Sequence, residues 1–126
     1  MTVQPYLSFS GNCQEAFNFY KNIFSGQLQN KETWEGKSQD IPESYRDKIQ
    51  HIELSGAGIH LMGYDVSPDT PLNNGNNICL SVDLNSKQEA SDLFDSLSKG
   101  GTKHTPMQES SWGAYYGRCT DQFDIM

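Results

Sequence analysis

The 126-residue sequence predicts an α+β fold made of two like modules, each running strand, helix, strand, strand, strand. Three observations predict it. Residues 6–26 (YLSFSGNCQEAFNFYKNIFSG) read as a short strand, a turn and a capped amphipathic helix. The same order returns at 77–100, where Asn12 and Ser86, Glu15 and Glu89, Ala16 and Ala90, Tyr20 and Phe94, and Gly26 and Gly100 are each separated by 74 positions. Between the two lies DVSPDTPLNNGN, residues 65–76, rich in the residues that break regular structure.

Taken in order, Tyr6-Leu7-Ser8-Phe9 alternates and is rich in strand formers. Gly11 permits a turn, Asn12 can cap a helix, and Glu15 stands where it can reach back to the cap. Ala16, Phe17, Tyr20, Ile23 and Phe24 recur at helical spacing, and Gly26 suits a left-handed stop. A second strand is expected over 27–35, a polar loop over 36–40, and a single helical turn over 42–48 opened by Pro42. Residues 49–55 and 59–64 alternate around the turn Gly56-Ala57-Gly58 and predict a hairpin. Module one thus spans 1–64, the linker 65–76 and module two 77–126 of a single domain.

In module two, Ile78, Leu80, Val82 and Leu84 alternate over 77–84 and predict a strand. Ser86 and Glu89 make a capping box for a helix carrying Ala90, Leu93, Phe94 and Leu97 on one stripe, which Gly100-Gly101 ends. Three more strands are expected at 102–108, 112–119 and 123–126.

Composition narrows the function. The net charge is −7, with 9 Lys and Arg against 16 Asp and Glu and no basic cluster. Nucleic acid and anionic membrane are therefore poor partners, since both are bound through displaced counterions on a cationic surface. A mean hydropathy of −0.67 and the lack of any apolar run of about 18 residues argue against a spanning helix. The N-terminus has neither a basic start nor an apolar core, so a cytoplasmic location is expected. Cys13, Cys79 and Cys119 are odd in number and widely spaced, which fits free, structural thiols in a reducing compartment. The sequence contains no GxGxxG, GxxxxGK[ST], GxSxG or HExxH.

Four segments, PYLSFSGNCQEAFNFYKNIF, IQHIEL with IHLMGYD, ICLSVDL, and SWGAYYGRCTDQF, resemble PhnB-like proteins. These belong to the glyoxalase/bleomycin-resistance/extradiol-dioxygenase superfamily, also called vicinal oxygen chelate proteins. The resemblance covers nearly the whole chain. It implies two paired βαβββ modules whose mostly antiparallel sheets form a curved half-barrel around a cavity, with the helices on the convex face, and it implies a homodimer. It also implies that a divalent metal, where present, is held by His, Gln or Glu on the first and last strands of each module. Those positions fall at Pro5 (beside Gln4), at His60, at Asn77 and just past Met126. Only His60 is a good ligand among them, so no metal or other cofactor is assured. The family usually has glycine where Asp124 stands.

Strand alternation then sorts the faces. If Ile59 and Leu61 pack on the helix, His60, Met62 and Tyr64 face the other way; the same logic turns His51 and Glu53 away from Ile52 and Leu54, and Asn77 and Cys79 away from Ile78 and Leu80. His51, His60, Asn77 and Cys79 could thus line one cavity, with Trp112 and Tyr116 as an aromatic wall. Trp34 and Tyr115 serve equally as wall or packing. His104 reads as a solvated strand residue, and Asp121 and Asp124 as a turn. The function expected is binding of a small aromatic or amphipathic molecule in a sheet-lined cavity. The alternative is a metal-dependent lyase, isomerase or dioxygenase using His60. A third reading is a dimeric remnant whose cavity Met62, Tyr64 and Tyr116 fill.

Overall fold

A computed structural model describes residues 1–37 and 40–126. The polar loop expected at 36–40 includes Ser38 and Gln39, which lie outside the described residues. The chain forms two compact units, Met1–Leu72 and Asn73–Met126, and the break between them falls inside the stretch read as a linker. Together they hold two α-helices and six strands in two sheets among the described residues, an α+β fold.

The first unit contains β1 (Tyr6–Phe9), α1 (Cys13–Phe24), β2 (Gln27–Thr33), a 3-10 turn (Glu43–Tyr45), β3 (Ile49–Gly56) and β4 (Ile59–Asp65). Its sheet has the order β1-β4-β3-β2, with β1 parallel to β4 and the other pairs antiparallel. α1 lies on one face. Phe9, Cys13, Ala16, Phe17, Tyr20, Ile49, Ile52, Leu54 and Leu61 are buried there, as the 2- and 3.6-residue periods of the sequence require. Gly63 on β4 faces the helix so closely that a Cβ would lie 2.3 Å from the Phe17 ring. Trp34 and Tyr45 pack on each other, with ring centroids 6.4 Å apart, and Trp34 Nε1 donates to the Asp65 carbonyl. Trp34 is therefore a packing residue.

The ends of α1 differ from the sequence expectation. Asn12 occupies the cap position, but its side chain makes no capping hydrogen bond. The acceptor comes instead from Asp65, 52 residues away: its Oδ1 takes the amides of Gly11 (2.8 Å) and Cys13 (3.0 Å), and its Oδ2 takes that of Ile49 (2.8 Å). A carboxylate set against the first free amides of a helix is favoured by both hydrogen bonding and the helix dipole. Asp65 is thus the last residue of β4 and not the first of a linker. At the other end Ser25, with φ 54°, takes the left-handed position expected for Gly26. Gly26 is needed for closeness, since a Cβ there would lie 2.7 Å from Leu54 Cδ1.

The second unit contains α2 (Lys87–Ser98), β5 (Thr102–Glu109) and β6 (Tyr115–Thr120), the two strands pairing antiparallel. Ser86 Oγ accepts from the Glu89 amide at 3.1 Å, the forward half of the expected capping box. Phe94 is buried under the sheet, and Gly117 on β6 leaves room for its ring, a Cβ there falling 2.9 Å from Phe94 Cε1. Two expected strands are absent. Residues 77–84 join no ladder, and Ile78, Leu80, Val82 and Leu84 are all exposed. One backbone bond, from Leu80 N to Met126 O, links this stretch to the C-terminal residues, which are not a strand either. Alternation marks a segment able to pair, but only a neighbouring ladder makes it a strand. Residues 121–125 form the expected acidic turn, with Asp121 Oδ1 accepting from Phe123 and Ile125. Asp124 there takes φ 68°, a left-handed conformation that Asp tolerates better than most residues.

Candidate functional site

The face of the first sheet away from α1 gathers ionisable and hydrogen-bonding side chains onto one carboxylate. His51 and Glu53 alternate with Ile52 and Leu54 on β3, and His60 and Met62 alternate with Leu61 and Gly63 on β4, so all of the polar groups share that face. Glu53 Oε2 accepts from His51 Nε2 at 2.9 Å and from Asn30 Nδ2 at 3.0 Å, while Oε1 accepts from His60 Nε2 at 3.1 Å. Tyr6 of β1 completes the chain, its hydroxyl 2.7 Å from His51 Nδ1.

Asn30 reaches Glu53 because β2 is irregular. Gln29 pairs with Glu53 and Glu32 with His51, so β2 carries an extra residue between these pairs, and Asn30 adopts φ 54°. Such bulges re-aim side chains, and Asn is among the few residues that take a left-handed φ at little cost. Nothing in the local pattern marked Asn30; the only hint was an asparagine inside a strand, where it is disfavoured.

The protonation logic follows from the partners. Glu53 is ionised and accepts every bond, so both imidazoles present a donating Nε2–H to it. With Nε2 turned to Glu53, His51 Nδ1 faces the Tyr6 hydroxyl. The bond from His51, then those from Asn30 and His60, lower the Glu53 carboxyl from 4.5 to about 2. Burial, and then the nearby Tyr64, raise the Tyr6 phenol, which holds it in its protonated, donating form. The arrangement is a Tyr–His–Glu–His relay. It can orient a ligand's polar group, and it can pass a proton to or from one at Tyr6 or His51.

A pH titration tests the network. The folded Glu53 pKa lies below the ordinary value of 4.5, so the bonds stabilise the fold fully above that pH. The contribution is lost as pH falls from 4.5 towards about 2. Glu53→Gln is therefore expected to be less stable than the parent at neutral pH, with the gap closing through that acidic window in urea melts. A gap that stays constant down to about pH 2 would remove the network as the cause.

The other expected residues are placed as follows. Asn77 and Cys79 lie in the unpaired 77–84 stretch of the second unit and are exposed, without the strand from which their facing was read. Trp112 and Tyr116 stack on each other at 5.2 Å in the second unit. Tyr115 turns to α2, with its hydroxyl 3.2 Å from Ser91 Oγ. The buried Cys13 thiol is pushed up by burial and then by Asp65, which removes it as a nucleophile. For a metal the donors do not fit. Pro5 offers only its carbonyl, which accepts from Met62 N, and His60 Nε2 is committed to Glu53. Among the described residues no group of three His, Cys, Asp or Glu is placed to hold an ion.

A family model described as 3-demethylubiquinone-9 3-methyltransferase matches residues 1–126. The chain belongs to this family. Among solved structures, protein PA1353 from Pseudomonas aeruginosa is similar to this 3-demethylubiquinone-9 3-methyltransferase family member at 33% identity and a TM-score of 0.84, covering 99% of this chain and 92% of that one. The PhnB protein from Bacillus cereus has the same fold at 18% identity, with a TM-score of 0.79 and coverage of 99% and 95%. Protein YjdN of Escherichia coli K12 is 26% identical over 138 residues, 99% of this chain and 91% of its own length. The PhnB-like resemblance read from the sequence is thus supported across the whole chain. In this family member, no helix among the described residues is long and apolar enough to cross a membrane.

Proposed function

We propose that this protein binds a small aromatic or amphipathic molecule against the polar face of its first sheet, with no metal assured. The convergence of His51, Asn30 and His60 on Glu53, with Tyr6 joined through His51, carries the reading. Three side chains from three strands are oriented by one carboxylate, and Tyr6 from the fourth strand is held through His51, which is the preorganisation a polar ligand group needs and a solvated surface does not supply. Tyr6 and Tyr64, with centroids 5.1 Å apart, and Met62 add apolar area beside the polar groups, the mixture typical of small-molecule sites. The family description names a methyl transfer. The proposal does not use that activity, because the relay handles protons and the sequence holds no glycine-rich nucleotide motif.

The test is ligand-induced stabilisation. Members of an aromatic metabolite and antibiotic panel are expected to raise the melting temperature in a concentration-dependent way, because a ligand of the folded state alone stabilises it by mass action. His51→Ala should weaken any such hit by about 10-fold or more, the scale of a lost hydrogen bond to a charge-linked network. A panel without a single shift, or hits indifferent to His51→Ala and Glu53→Gln alike, would count against the site.

A further inference from the structure

In the second unit, Asn74, Gly75 and Asn76 wall an open groove of about 390 Å³ whose other side is the β5–β6 ladder. His104, Arg118 and Thr120 line it from the strands, and His104 Nε2 lies 2.7 Å from Thr120 Oγ1. Gly117 faces α2, so by alternation Tyr116, Arg118 and Thr120 share the opposite face.

Arg118 is the unusual member. Lys87 is paired with Glu109 and Lys103 with Asp95, whereas Lys99 and the Arg118 guanidinium have no ion pair among the described residues, and of these two only Arg118 lines the groove. It stands exposed, in a unit where acidic residues outnumber basic ones, beside uncharged hydrogen-bonding groups. A guanidinium offers a planar fork of donors that matches a carboxylate in two parallel bonds. The His104–Thr120 pair and the side-chain amides of Asn74 and Asn76 can supply further donors. Asp124 closes one end, and its Oδ2 is 3.4 Å from Asn74 Nδ2, so the groove's charge suits a monoanion better than a phosphate dianion. Two residues along the strand from Arg118, the Tyr116 ring stacks with Trp112, which is 71% exposed. The geometry points to a carboxylate-binding subsite for a small aromatic acid, with Arg118 clasping the carboxylate and the Trp112–Tyr116 pair receiving the ring. Every residue of this subsite belongs to the second unit, and the assignment does not depend on the relay.

The experiment is an amide NMR titration of the full chain with benzoate, benzamide and inorganic phosphate, repeated on Arg118→Gln. Arg118 is exposed, so the variant is expected to keep the parent spectrum away from the groove. Benzoate should shift the amides of residues 74–76, 104, 116, 118 and 120, and the substitution should weaken it by about 10- to 100-fold, the scale of lost charged hydrogen bonds. Benzamide should bind weakly and equally to both proteins. Benzoate binding equally to parent and variant, shifts confined to the Tyr6–His51–His60 face, or inorganic phosphate binding as tightly as benzoate would each overturn the assignment.

Discussion

Asp65→Ala is expected to be the most damaging single substitution in the first unit. The residue is 1% exposed, and its two oxygens take three backbone amides, from Gly11, Cys13 and Ile49. Those bonds fasten the start of α1 and the start of β3 to the end of β4. Alanine would leave three donors without an acceptor, each costing about 1–3 kcal/mol where water cannot reach. Because the donors share one environment the costs do not add fully, and a loss of about 3–5 kcal/mol is expected. That is a large part of the stability of a small domain. Asp65→Asn should fall between parent and alanine, since it keeps one acceptor oxygen but turns an NH₂ towards the other donors. Urea unfolding followed by far-UV circular dichroism measures both. An alanine variant within about 1 kcal/mol of the parent would show that these bonds are replaced by water.

Gly63→Ala should follow closely. The added Cβ would lie 2.3 Å from Phe17 Cε1 and 2.6 Å from Cζ, and 3.3 Å from Cys13 Sγ. The Phe17 ring has nowhere to go. It is fully buried and meets Phe9 and Tyr20 edge-on, at centroid distances of 6.1 and 5.9 Å. Overpacking of this kind costs about 1–3 kcal/mol, and α1 must lift from β4 to relieve it. Phe17→Leu alone should also destabilise, through lost volume, but it removes the ring that clashes. The double variant is therefore expected to be more stable than the sum of the two single losses predicts, a coupling that a double-mutant cycle reads directly. Strict additivity would mean that the backbone, not Phe17, absorbs the strain.

Much of the first unit was readable in advance because its signals are local. The alternation of Ile52, Leu54 and Leu61 with His51, Glu53 and His60 assigned faces correctly, and the 3.6-residue recurrence of Ala16, Phe17 and Tyr20 marked the buried side of α1. That alternation also put His51 and His60 on one face, where both bond to Glu53. Asn30 and Tyr6 were not recognised as their partners. One depends on a bulge in β2, and the other on a parallel pairing of β1 with β4 that places Tyr6 opposite Met62. Neither register is written in the residues themselves. The same reasoning failed at 77–84, where alternation was sound but the expected ladder is missing.

Arg118 and the Asn74–Asn76 tract show the limit most plainly. As sequence, they are a strand cation and a string of loop formers, 42 positions apart at their closest. Periodicity, capping pattern and turn chemistry decided where helices and most strands begin, and which side of each faces a core, because those preferences act between residues a few positions apart. Which carboxylate caps α1, which imidazoles meet on Glu53 and which cation lines the groove beside Asn74 and Asn76 were decided only when the chain folded. A hydrogen bond or ion pair depends on a separation of about 3 Å in space and takes no account of separation along the chain.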